Sequence, residues 1–455
     1  MAEISILKLS ELNKDNRIDS DFYKKEFIEN DKLIEKKEYF FLGDKKVSKK
    51  ITDGDHGNPI YTDKEQGIPY LKSRDISDND INLKDIEKLD KEYSAKINQR
   101  CFTKNSDVLL TTVGTIGISY IIKDRGKNFV LSRDIAKIQT EKEVLIPEFL
   151  YLFLKTKLGN LQIERLATGS VQRGLYLGAI KKIKIPKIDI EKQKEFVPIV
   201  DKIFRLVNNS REYFQKADDE LISFLGLTNI STNGDLINYK KISEFVNGLR
   251  IDSEYYQNKY QELKKLLSKF ESEKLSIIAN VTDGDHGSPI YLEKGITFLR
   301  ALNVWRYFLD YKDVKYISKE YHLKELKRSI LKKDDVILTK IGTIGVVAVI
   351  PDIEANTTAS CGKIRIKKEY LKRLDPYFLA CFLNNLPGRL LMEMDTTGSV
   401  QTGIILKTLR NLNIPLVDYN FQLRIRELVE KGIRDREEAR ELLLTSINKI
   451  EKLDN

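Results

Sequence analysis

The sequence predicts an α+β protein in which one mixed α/β domain occurs twice and each copy ends in a long helix. Three observations carry this prediction. A set of motifs occurs twice at a near-constant spacing, short β-rich runs lie in the middle of each copy, and a heptad pattern of apolar residues closes each copy. The chain has 455 residues, which is enough for two to four domains.

The duplication is visible in three motifs. Their two occurrences are separated by 230, 228 and 229 residues, each about half of the chain length. Such a shift indicates two copies of one domain and not a solenoid, whose repeats are far shorter. The motifs are Thr-Asp-Gly-Asp-His-Gly at 52–57 and 282–287, Gly-Thr-Ile-Gly at 114–117 and 342–345, and Thr-Gly-Ser-Val-Gln at 168–172 and 397–401.

Each copy opens with Arg-Ile-Asp-Ser, at 17–20 and 250–253, and a helical pattern with spacings of three and four follows. The runs 107–113 and 335–341 are β-rich and end at the Gly-Thr-Ile-Gly turn, so we expect strands there. Two later helices are expected to begin at prolines, because proline suits the first helical turn. The residues behind these helix predictions are Tyr256, Tyr260, Leu263, Leu267, Phe270, Pro147 and Pro376.

A heptad pattern closes each copy. Its positions alternate at spacings of four and three from Phe196 to Phe224, and the same series returns 229 residues later, from Ile425 to Leu453. Two long amphipathic helices with matching seams are expected to pack on each other as a coiled coil. The alternative is two separate helices, each packed on its own domain.

These patterns divide the chain into five segments. Residues 226–235 are rich in turn formers, which favours a linker between the copies. The segments are a first domain at 1–188, a first long helix at 189–225, a linker at 226–239, a second domain at 240–417 and a second long helix at 418–455.

The charge of the chain favours a polyanionic partner. Lysine and arginine exceed aspartate and glutamate, which gives a formal net charge of +10. A basic surface suits nucleic acid first and an anionic membrane second, and a solvated lysine-rich surface is the alternative. The sequence shows no apolar core of a signal peptide and no run of about 18 apolar residues. Its three cysteines form no CxxC pair, which indicates neither a disulfide framework nor a zinc site. We therefore expect a cytoplasmic protein that does not span a membrane.

The sequence contains no constellation typical of an enzyme, so we predict no catalytic residue, cofactor or metal. Gly-x-Gly-x-x-Gly after a strand, the P-loop and His-Glu-x-x-His are all missing. The best metal or nuclease candidate is the repeated Asp/His turn, because carboxylates and an imidazole can hold a metal. The same residues are also turn formers, so a structural turn comes first, a DNA-backbone contact second and a metal site third. The turn contains Asp53, Asp55 and His56, and Asp283, Asp285 and His286 in the second copy.

The repeated Thr-Gly-Ser-Val-Gln loop has two equally supported interpretations. Its small residues let the backbone approach a ligand closely, and its N–H and hydroxyl groups are suitable donors to phosphates. It is equally suited to a tight turn inside the domain.

Together these motifs resemble the specificity subunit of type I restriction-modification systems, over nearly the whole chain. The resemblance also includes Ile185-Pro186 and Ile414-Pro415, and a glutamine near the start of each long helix, Gln193 and Gln422. Each motif is weak alone, but their order, found twice, is specific.

The chain departs from the family at one position of each copy. A glycine that commonly precedes the Asp-Val-Leu run is Ser106 here and Asp334 in the second copy. This departure puts the geometry of a turn in doubt.

The resemblance implies an architecture and a role. Subunits of this family have two target recognition domains, separated by two long antiparallel helices and related by a pseudo-two-fold axis. Each domain reads one half of a bipartite double-stranded DNA target. The helices set the spacer and dock two methyltransferase subunits, and restriction subunits join through the complex. The alternatives are a recognition subunit whose partner is a fused methyltransferase-nuclease and, from another class, a metal-dependent nuclease that uses the Asp/His turns.

Positions that differ between the two copies are expected to read bases, where arginine, asparagine and glutamine discriminate best. Positions that agree are expected to serve the fold, the phosphates and partner docking. The residues predicted to contact DNA are Lys72, Ser73, Arg74, Thr115, Arg133, Ser170, Gln172 and Arg173 in the first copy, and Arg300, Asn303, Trp305, Arg306, Lys340, Thr343, Ser399 and Gln401 in the second.

Overall fold

A computed structural model describes most of the chain. The residues described are 17, 19–64, 66–77, 80–81, 83, 86–123, 128–169, 173–230, 255–324, 327–342, 344–394 and 403–453. Within these ranges, no helix is long and apolar enough to cross a membrane. Most of the expected linker at 226–239 lies outside the described residues.

The chain folds into two compact units, and each unit combines one copy of the repeat with parts of both long helices. The first unit comprises residues 1–208 and 436–455, and the second comprises residues 209–435. Each unit has a large hydrophobic cluster of its own. The mixed α+β class predicted from the sequence is confirmed.

The first unit is built on a four-stranded antiparallel sheet. Its described strands are β1 (Tyr39–Phe41), β2 (Ser48–Asp53), β3 (Ile68–Leu71), β4 (Lys88–Leu89), β5 (Val108–Thr111), β6 (Ser119–Ile121), β7 (Val130–Leu131), β8 (Ile135–Thr140) and β9 (Lys184–Pro186). The four-stranded sheet has the order β2-β8-β5-β6, a three-stranded sheet has the order β4-β3-β7, and β1 pairs with β9. All residues of β5 are buried, which explains its continuous apolar run.

The second unit repeats this topology. Its described strands are β10 (Ser272–Lys274), β11 (Ala279–Asp283), β12 (Ile296–Leu299), β13 (Lys315–Ile317), β14 (Val336–Thr339), β15 (Val347–Val349), β16 (Ala355–Thr357), β17 (Cys361–Ile366) and β18 (Asn413–Pro415). The sheet orders are β11-β17-β14-β15 and β13-β12-β16, and β10 pairs with β18. The same order in both units confirms the duplication. We call β3 and β12, each in the middle of its three-stranded sheet, the central strands.

The helices also occur as matching sets. The predicted helix starts at Pro147 and Pro376 are confirmed. The helical pattern at the start of the second copy is confirmed for Tyr260, Leu263 and Leu267, whereas Tyr256 and Phe270 lie outside the helix. Helices of the first unit are Lys25–Glu35, Lys91–Lys96, Pro147–Phe153, Lys157–Leu166, Leu177–Ile180 and Ile190–Lys194, and those of the second are Asn258–Leu267, Leu275–Ile278, Lys319–Lys324, Pro376–Asn384, Leu386–Met394 and Leu406–Asn411. The two long helices are Phe196–Phe224 and Tyr419–Leu453.

The seam predicted from the heptad pattern is buried in both long helices. In the first long helix the seam positions from Phe196 to Leu221 are all buried, and Phe224 at the helix end is exposed. In the second, Ile425, Ala439 and Ile450 are among the buried seam residues. The seam therefore supplies apolar contacts along nearly the whole length of each helix.

Within the first unit, the two long helices run antiparallel. Lys449 Nζ lies 2.7 Å from Glu195 Oε2, just before the start of the first long helix, and Lys202 Nζ lies 2.6 Å from Glu438 Oε1. Residue numbers rise on one helix as they fall on the other, which defines the antiparallel direction.

The same direction is found within the second unit. Arg424 Nε lies 2.7 Å from Glu220 Oε2. Phe224 stacks on Phe421 with ring centroids 3.9 Å apart. The ends of the helices that belong to this unit are therefore joined by both an ion pair and an aromatic contact.

The first long helix begins later than the sequence predicted. A short helix ends at Lys194, Glu195 follows as a turn residue, and the long helix starts at Phe196. Pro198 explains the break, because it has no N–H to donate to the carbonyl of Lys194 and its ring crowds that carbonyl. The equivalent residue in the second long helix is Glu427, and that helix runs unbroken from Tyr419.

The turn that departs from the family pattern keeps a left-handed backbone. Ser106 has φ +69° and Asp334 has φ +67°, a region that glycine occupies without strain. Both copies therefore keep the geometry that suits glycine while carrying a side chain.

The glutamine near the start of each long helix is buried and fully bonded. Gln193 Oε1 accepts a hydrogen bond of 2.9 Å from the N–H of Ile146, and its amide nitrogen donates to two carbonyl oxygens. Gln422 does the same with the N–H of Asp375, at 2.8 Å. Each glutamine thus fixes the start of a helix of its own unit.

Candidate nucleic-acid interface

The Asp/His turn of the first unit is held by a closed set of hydrogen bonds. His56 Nε2 lies 2.7 Å from Asp53 Oδ2, and the Tyr93 hydroxyl donates to Asp55 Oδ2 at 2.7 Å. Arg100 donates to the carbonyl oxygen of Asp53 at 2.7 Å and also pairs with its carboxylate. Every acidic group of the turn therefore has a partner within the unit.

The second unit builds the same turn from equivalent residues. His286 Nε2 lies 2.8 Å from Asp283 Oδ2, and the Tyr321 hydroxyl donates to Asp285 Oδ2 at 2.9 Å. Arg328 lies 3.5 Å from Asp283 Oδ1. Agreement in two separately folded units supports the interpretation of the motif as a structural turn.

The glycine of this turn is required by a close approach of two backbones. A Cβ added at Gly54 would lie 2.1 Å from the carbonyl oxygen of Leu131, and one added at Gly284 would lie 2.2 Å from that of Thr357. No side chain fits at such a distance. The turn is thereby fixed against β7 in the first unit and β16 in the second.

The contacts of the turn favour the charged form of Asp53 and of Asp283. Burial acts to raise the pKa of Asp53, but hydrogen bonds from His56 and Arg100 outweigh it, so the pKa lies below its ordinary value. The pKa of Asp283 is lowered in the same way, by His286 and by the charge of Lys340. Among the described residues, no three His, Cys, Asp or Glu side chains cluster as metal ligands would.

The tyrosine and arginine partners of this turn were not among the predicted site residues. Tyr93 and Tyr321 are 228 residues apart, and so are Arg100 and Arg328. The Gly-Thr-Ile-Gly motif shows the same shift of 228 residues. A residue-by-residue alignment of the two copies would therefore have identified these partners.

The outer face of the turn carries an exposed isoleucine in both units. Ile60 is 59% exposed and Ile290 is 85% exposed, at the same place in the Pro-Ile-Tyr end of the motif. The neighbouring histidines, His56 and His286, are also more than half exposed. The motif thus presents a similar small surface on each unit.

The residues after the first central strand are partly engaged with one glutamate. Lys72 pairs with Glu87, and its Nζ lies 4.8 Å from the centroid of the Tyr61 ring. Burial acts to lower the pKa of Lys72, but the contacts with Glu87 and Tyr61 raise it overall. Arg74 is exposed and lies 2.5 Å from Glu87 Oε1, so a guanidinium face remains open to a ligand.

Two of the predicted DNA contacts are buried and support the backbone. Ser73 donates from its hydroxyl to Asp134 Oδ2 at 2.7 Å. Asn303 donates to the carbonyl oxygen of Asp310 at 3.0 Å and accepts from the N–H of Arg300. These side chains fix the short turn that follows each central strand.

The corresponding part of the second unit contains an ion pair and an aromatic stack. Arg300 lies 2.8 Å from Asp313 Oδ2. Trp305 is exposed, and its ring lies 6.0 Å from that of Phe308 in a stacked arrangement. Arg306 is engaged elsewhere, in an ion pair with a long helix that is described below.

The remaining predicted contacts are spread over the surface and the interior. Thr115, Arg133 and Arg173 are exposed, and Arg173 donates to the carbonyl oxygen of Glu164 at 2.7 Å. Lys340 is buried, with its Nζ 3.5 Å from Asp283 Oδ2. Outside the described residues lie Ser170, Gln172, Thr343, Ser399 and Gln401.

Comparison with known proteins places these observations in a family. Residues 49–213 and 294–445 match the family described as the type I restriction modification DNA specificity domain. The EcoBI specificity subunit of a type I restriction enzyme from Escherichia coli is 26% identical over 155 residues, which are 34% of this chain and 32% of that protein. The MjaVIII specificity subunit from Methanocaldococcus jannaschii is 22% identical over 331 residues, which are 70% of each protein.

A solved structure with a similar extent is the S subunit of a type I restriction-modification system from M. genitalium. The match covers 92% of this chain and 94% of that subunit, with 13% sequence identity and a TM-score of 0.44. The two segments matched by the family make up well over half of the sequence. This match confirms the family predicted from the repeated motifs and gives no support to the nuclease alternative. The chain therefore belongs to the type I restriction-modification DNA specificity domain family, with one matched segment in each half of its sequence.

Proposed function

We propose that this chain is the DNA-recognition subunit of a type I restriction-modification complex, in which each unit reads one half of a bipartite double-stranded DNA target. One observation carries the proposal. Both units have the same strand order and the same Asp/His turn, but different side chains follow their central strands. A shared scaffold suits shared contacts with phosphates, and differing side chains suit the reading of different bases.

The exposed basic and aromatic residues are the best placed for direct contact with DNA. Arg74, Arg133 and Arg173 are exposed in the first unit, and Trp305 is exposed in the second. An arginine with a free guanidinium edge can bind guanine through two hydrogen bonds. The buried Ser73 would act indirectly, by fixing the turn that presents Arg74.

The long helices are the proposed dock for the catalytic partners. Each buries one seam and, apart from the buried Asp218, leaves its charged side chains exposed or partly exposed, which suits contact with further subunits. We propose two methyltransferase subunits, with restriction subunits joining through the complex, so that methylation and cleavage are performed by partners. Because the substrate is genomic DNA, we place the complex in the cytoplasm.

The test is the methylated sequence in cells with and without the gene. A bipartite motif, with two specified parts separated by unspecified bases, should be methylated only when the gene is present. A contiguous motif would contradict the two-unit reading, and unchanged methylation in cells that contain all partners would contradict the function. Purification of the complex separates the two partner arrangements, because a fused methyltransferase-nuclease gives one partner polypeptide instead of two kinds.

A further inference from the structure

The segment after each central strand forms a hairpin that is attached to a long helix. We call residues 76–81 of the first unit and 304–309 of the second the readout hairpins; Asp78 and Asn79 lie outside the described residues. Each readout hairpin is closed by an antiparallel backbone bridge between its first and last residues. Its position beside the proposed base-reading residues makes its placement important for recognition.

In the second unit, the attachment is an ion pair with the first long helix. Arg306 lies 2.5 Å from Asp218 Oδ2, and the Asp218 side chain is 7% exposed. The other oxygen of Asp218 accepts hydrogen bonds from the Tyr307 hydroxyl and, at 2.6 Å, from the Asn385 amide. Tyr307 is buried with φ +74°, a backbone region that residues with side chains rarely adopt. The helix thus holds this readout hairpin in a strained conformation.

In the first unit, the attachment has the opposite polarity. Arg436 of the second long helix lies 2.5 Å from Asp80 Oδ2 of the readout hairpin, with side chains 15% and 16% exposed. The hairpin supplies the acid here and the base in the second unit. Arg306 is 30% exposed, but its partner Asp218 is buried, and both partners of the other pair are mostly buried. The two pairs are therefore less screened by water than fully exposed pairs are.

The two ion pairs do not descend from one shared pair. They use different positions of the hairpin and different turns of the helices, so the duplication alone does not account for them. In the alignment of the two copies Asp80 corresponds to Phe308, Arg306 to Asp78, Arg436 to Val207 and Asp218 to Ile447.

We propose that each ion pair fixes a readout hairpin to its own helix segment, and that Arg306 and Arg436 are positioning residues for DNA recognition. The proposal rests on the proposed function. A hairpin of the first type placed against the helix segment of the second unit would bury Asp80 without Arg436. An unpaired buried charge is costly, so reversed polarity favours the correct partner and disfavours the wrong one.

A positioning role for Arg306 differs in its consequences from the base contact that the sequence suggested. A residue that reads a base loses its effect when it is replaced, whatever stands in the helix. A residue that positions the hairpin can be exchanged with its helix partner without loss. Exchange of the two charges therefore separates the roles.

The experiment uses the full chain in its assembled methyltransferase complex. Binding is measured on the native target and on targets altered in one half. Arg306→Asp places a carboxylate beside Asp218 and is expected to weaken binding about tenfold, through the second half-site alone. Addition of Asp218→Arg is expected to restore affinity to within about threefold of the original. In the first unit, Asp80→Arg is expected to weaken binding through the first half-site alone, and addition of Arg436→Asp is expected to restore it.

Arg306→Asp combined with Asp80→Arg is the matched control, because it has the same charge changes and no restored pair. Its affinity should stay at or below that of Arg306→Asp. Thermal unfolding of every variant shows whether it folds. If the reversed pair does not fold, Arg306→Gln and Asp218→Asn replace it, and the double variant should bind no more weakly than either single variant.

The outcomes separate the inference from the function on which it rests. Failure of the unaltered complex to bind a bipartite target would overturn the proposed function. Normal binding by that complex, with no gain from the second substitution over the first, would overturn the inference. So would an effect of Arg306→Asp confined to one base pair, which is the signature of direct readout.

Discussion

Each unit holds its readout hairpin against a long helix, but the contacts that do so differ between the units. In the first unit, the ion pair of Asp80 with Arg436 is accompanied by the buried Ile76 and Ile81, which belong to the hydrophobic cluster that also contains Val207 of the first long helix. In the second, the reversed ion pair is joined by an aromatic stack, in which Phe214 of the first long helix lies 6.4 Å from Phe308, and Phe308 lies 6.0 Å from Trp305. Apolar packing therefore accompanies charge in both units, but in the second it takes the form of an aromatic stack on the long helix.

This difference separates scaffold from individual function within one molecule. Strand order, the Asp/His turn and the buried Gln193 and Gln422 agree between the units. The readout hairpins and their attachments do not. In a duplicated protein, each copy serves as the control for the other, and differences between equivalent positions point to what each unit does alone.

The largest expected effect comes from exchange of a whole domain. Replacement of residues 1–185 with the matching segment of a relative, one that has an acid at the position of Asp80, should change the first half-site completely. The second half-site should stay the same, because the second unit has its own hydrophobic core. The methylated sequence in cells is the measurement, and a change in both half-sites would contradict independent units.

The matched control for this exchange is a segment from a relative that has a basic residue at the position of Asp80. It should specify its own new half-site but methylate it more weakly, because the hairpin meets Arg436 with a like charge. Arg436→Asp in the same chimera should recover methylation.

Gly432 offers a smaller test on the second unit alone. A Cβ at Gly432 would lie 2.5 Å from Phe214 Cε1, so Gly432→Ala must move a ring that packs on the readout hairpin. Overpacking outweighs the helix propensity of alanine, and we expect the free energy of unfolding to fall by about 1–2 kcal/mol. Trp305, the single tryptophan of the chain, reports this loss by fluorescence during denaturant unfolding.

Gly178→Ala is the control, because a Cβ there meets no atom within 4 Å. It should leave stability unchanged or slightly higher. The position equivalent to Gly432 in the first unit is Ile203, which shows that the restriction belongs to the second unit. A Gly432→Ala variant as stable as the parent would mean that Phe214 relaxes freely and does not hold the hairpin.

The sequence predicted what is periodic or repeated, and this was most of the scaffold. The heptad seam predicted the buried faces of both long helices, and repeated motifs located the central sheets. Pro198 indicates a break after Lys194, but the uninterrupted heptad pattern favoured one continuous helix. No sequence pattern predicted the ion pair of Arg306 with Asp218, whose partners are 88 residues apart. The equivalent residues of the other copy, Asp78 and Ile447, do not carry the same charges.

A smaller effect is expected at the left-handed turns. Ser106→Gly and Asp334→Gly each remove a side chain from a left-handed backbone, with φ +69° and +67° respectively. Each should raise the free energy of unfolding by about 0.5–1 kcal/mol, because relief of the left-handed strain exceeds the added entropy of the unfolded chain. Ser268→Gly is the control, since Ser268 has φ −66° and should gain nothing. Calorimetric unfolding measures all three variants, and a loss of stability in the first two would contradict the strain argument.

The smallest effect is expected where the two units agree most, at the exposed histidines of the Asp/His turn. The double variant His56→Ala with His286→Ala removes one partner of Asp53 and one of Asp283. It keeps the hydrogen bonds that Tyr93 and Tyr321 donate to the other aspartate of each turn. Exposed pairs of this kind stabilise by about 0–1 kcal/mol, so the stability at neutral pH should fall by no more than that for each pair.

The pH dependence of this variant follows from the lowered pKa of Asp53 and Asp283. A carboxyl whose pKa is lower in the folded state stabilises the protein above its unfolded pKa and loses that contribution as pH falls through the folded value. Removal of the histidines raises both folded values, so acid unfolding of the variant should begin at a higher pH than in the parent. Methylation and cleavage by complexes that assemble and bind DNA normally should persist, because the turn serves the fold. Selective loss of either reaction in such complexes would give the turn a chemical role and restore the metal-site hypothesis.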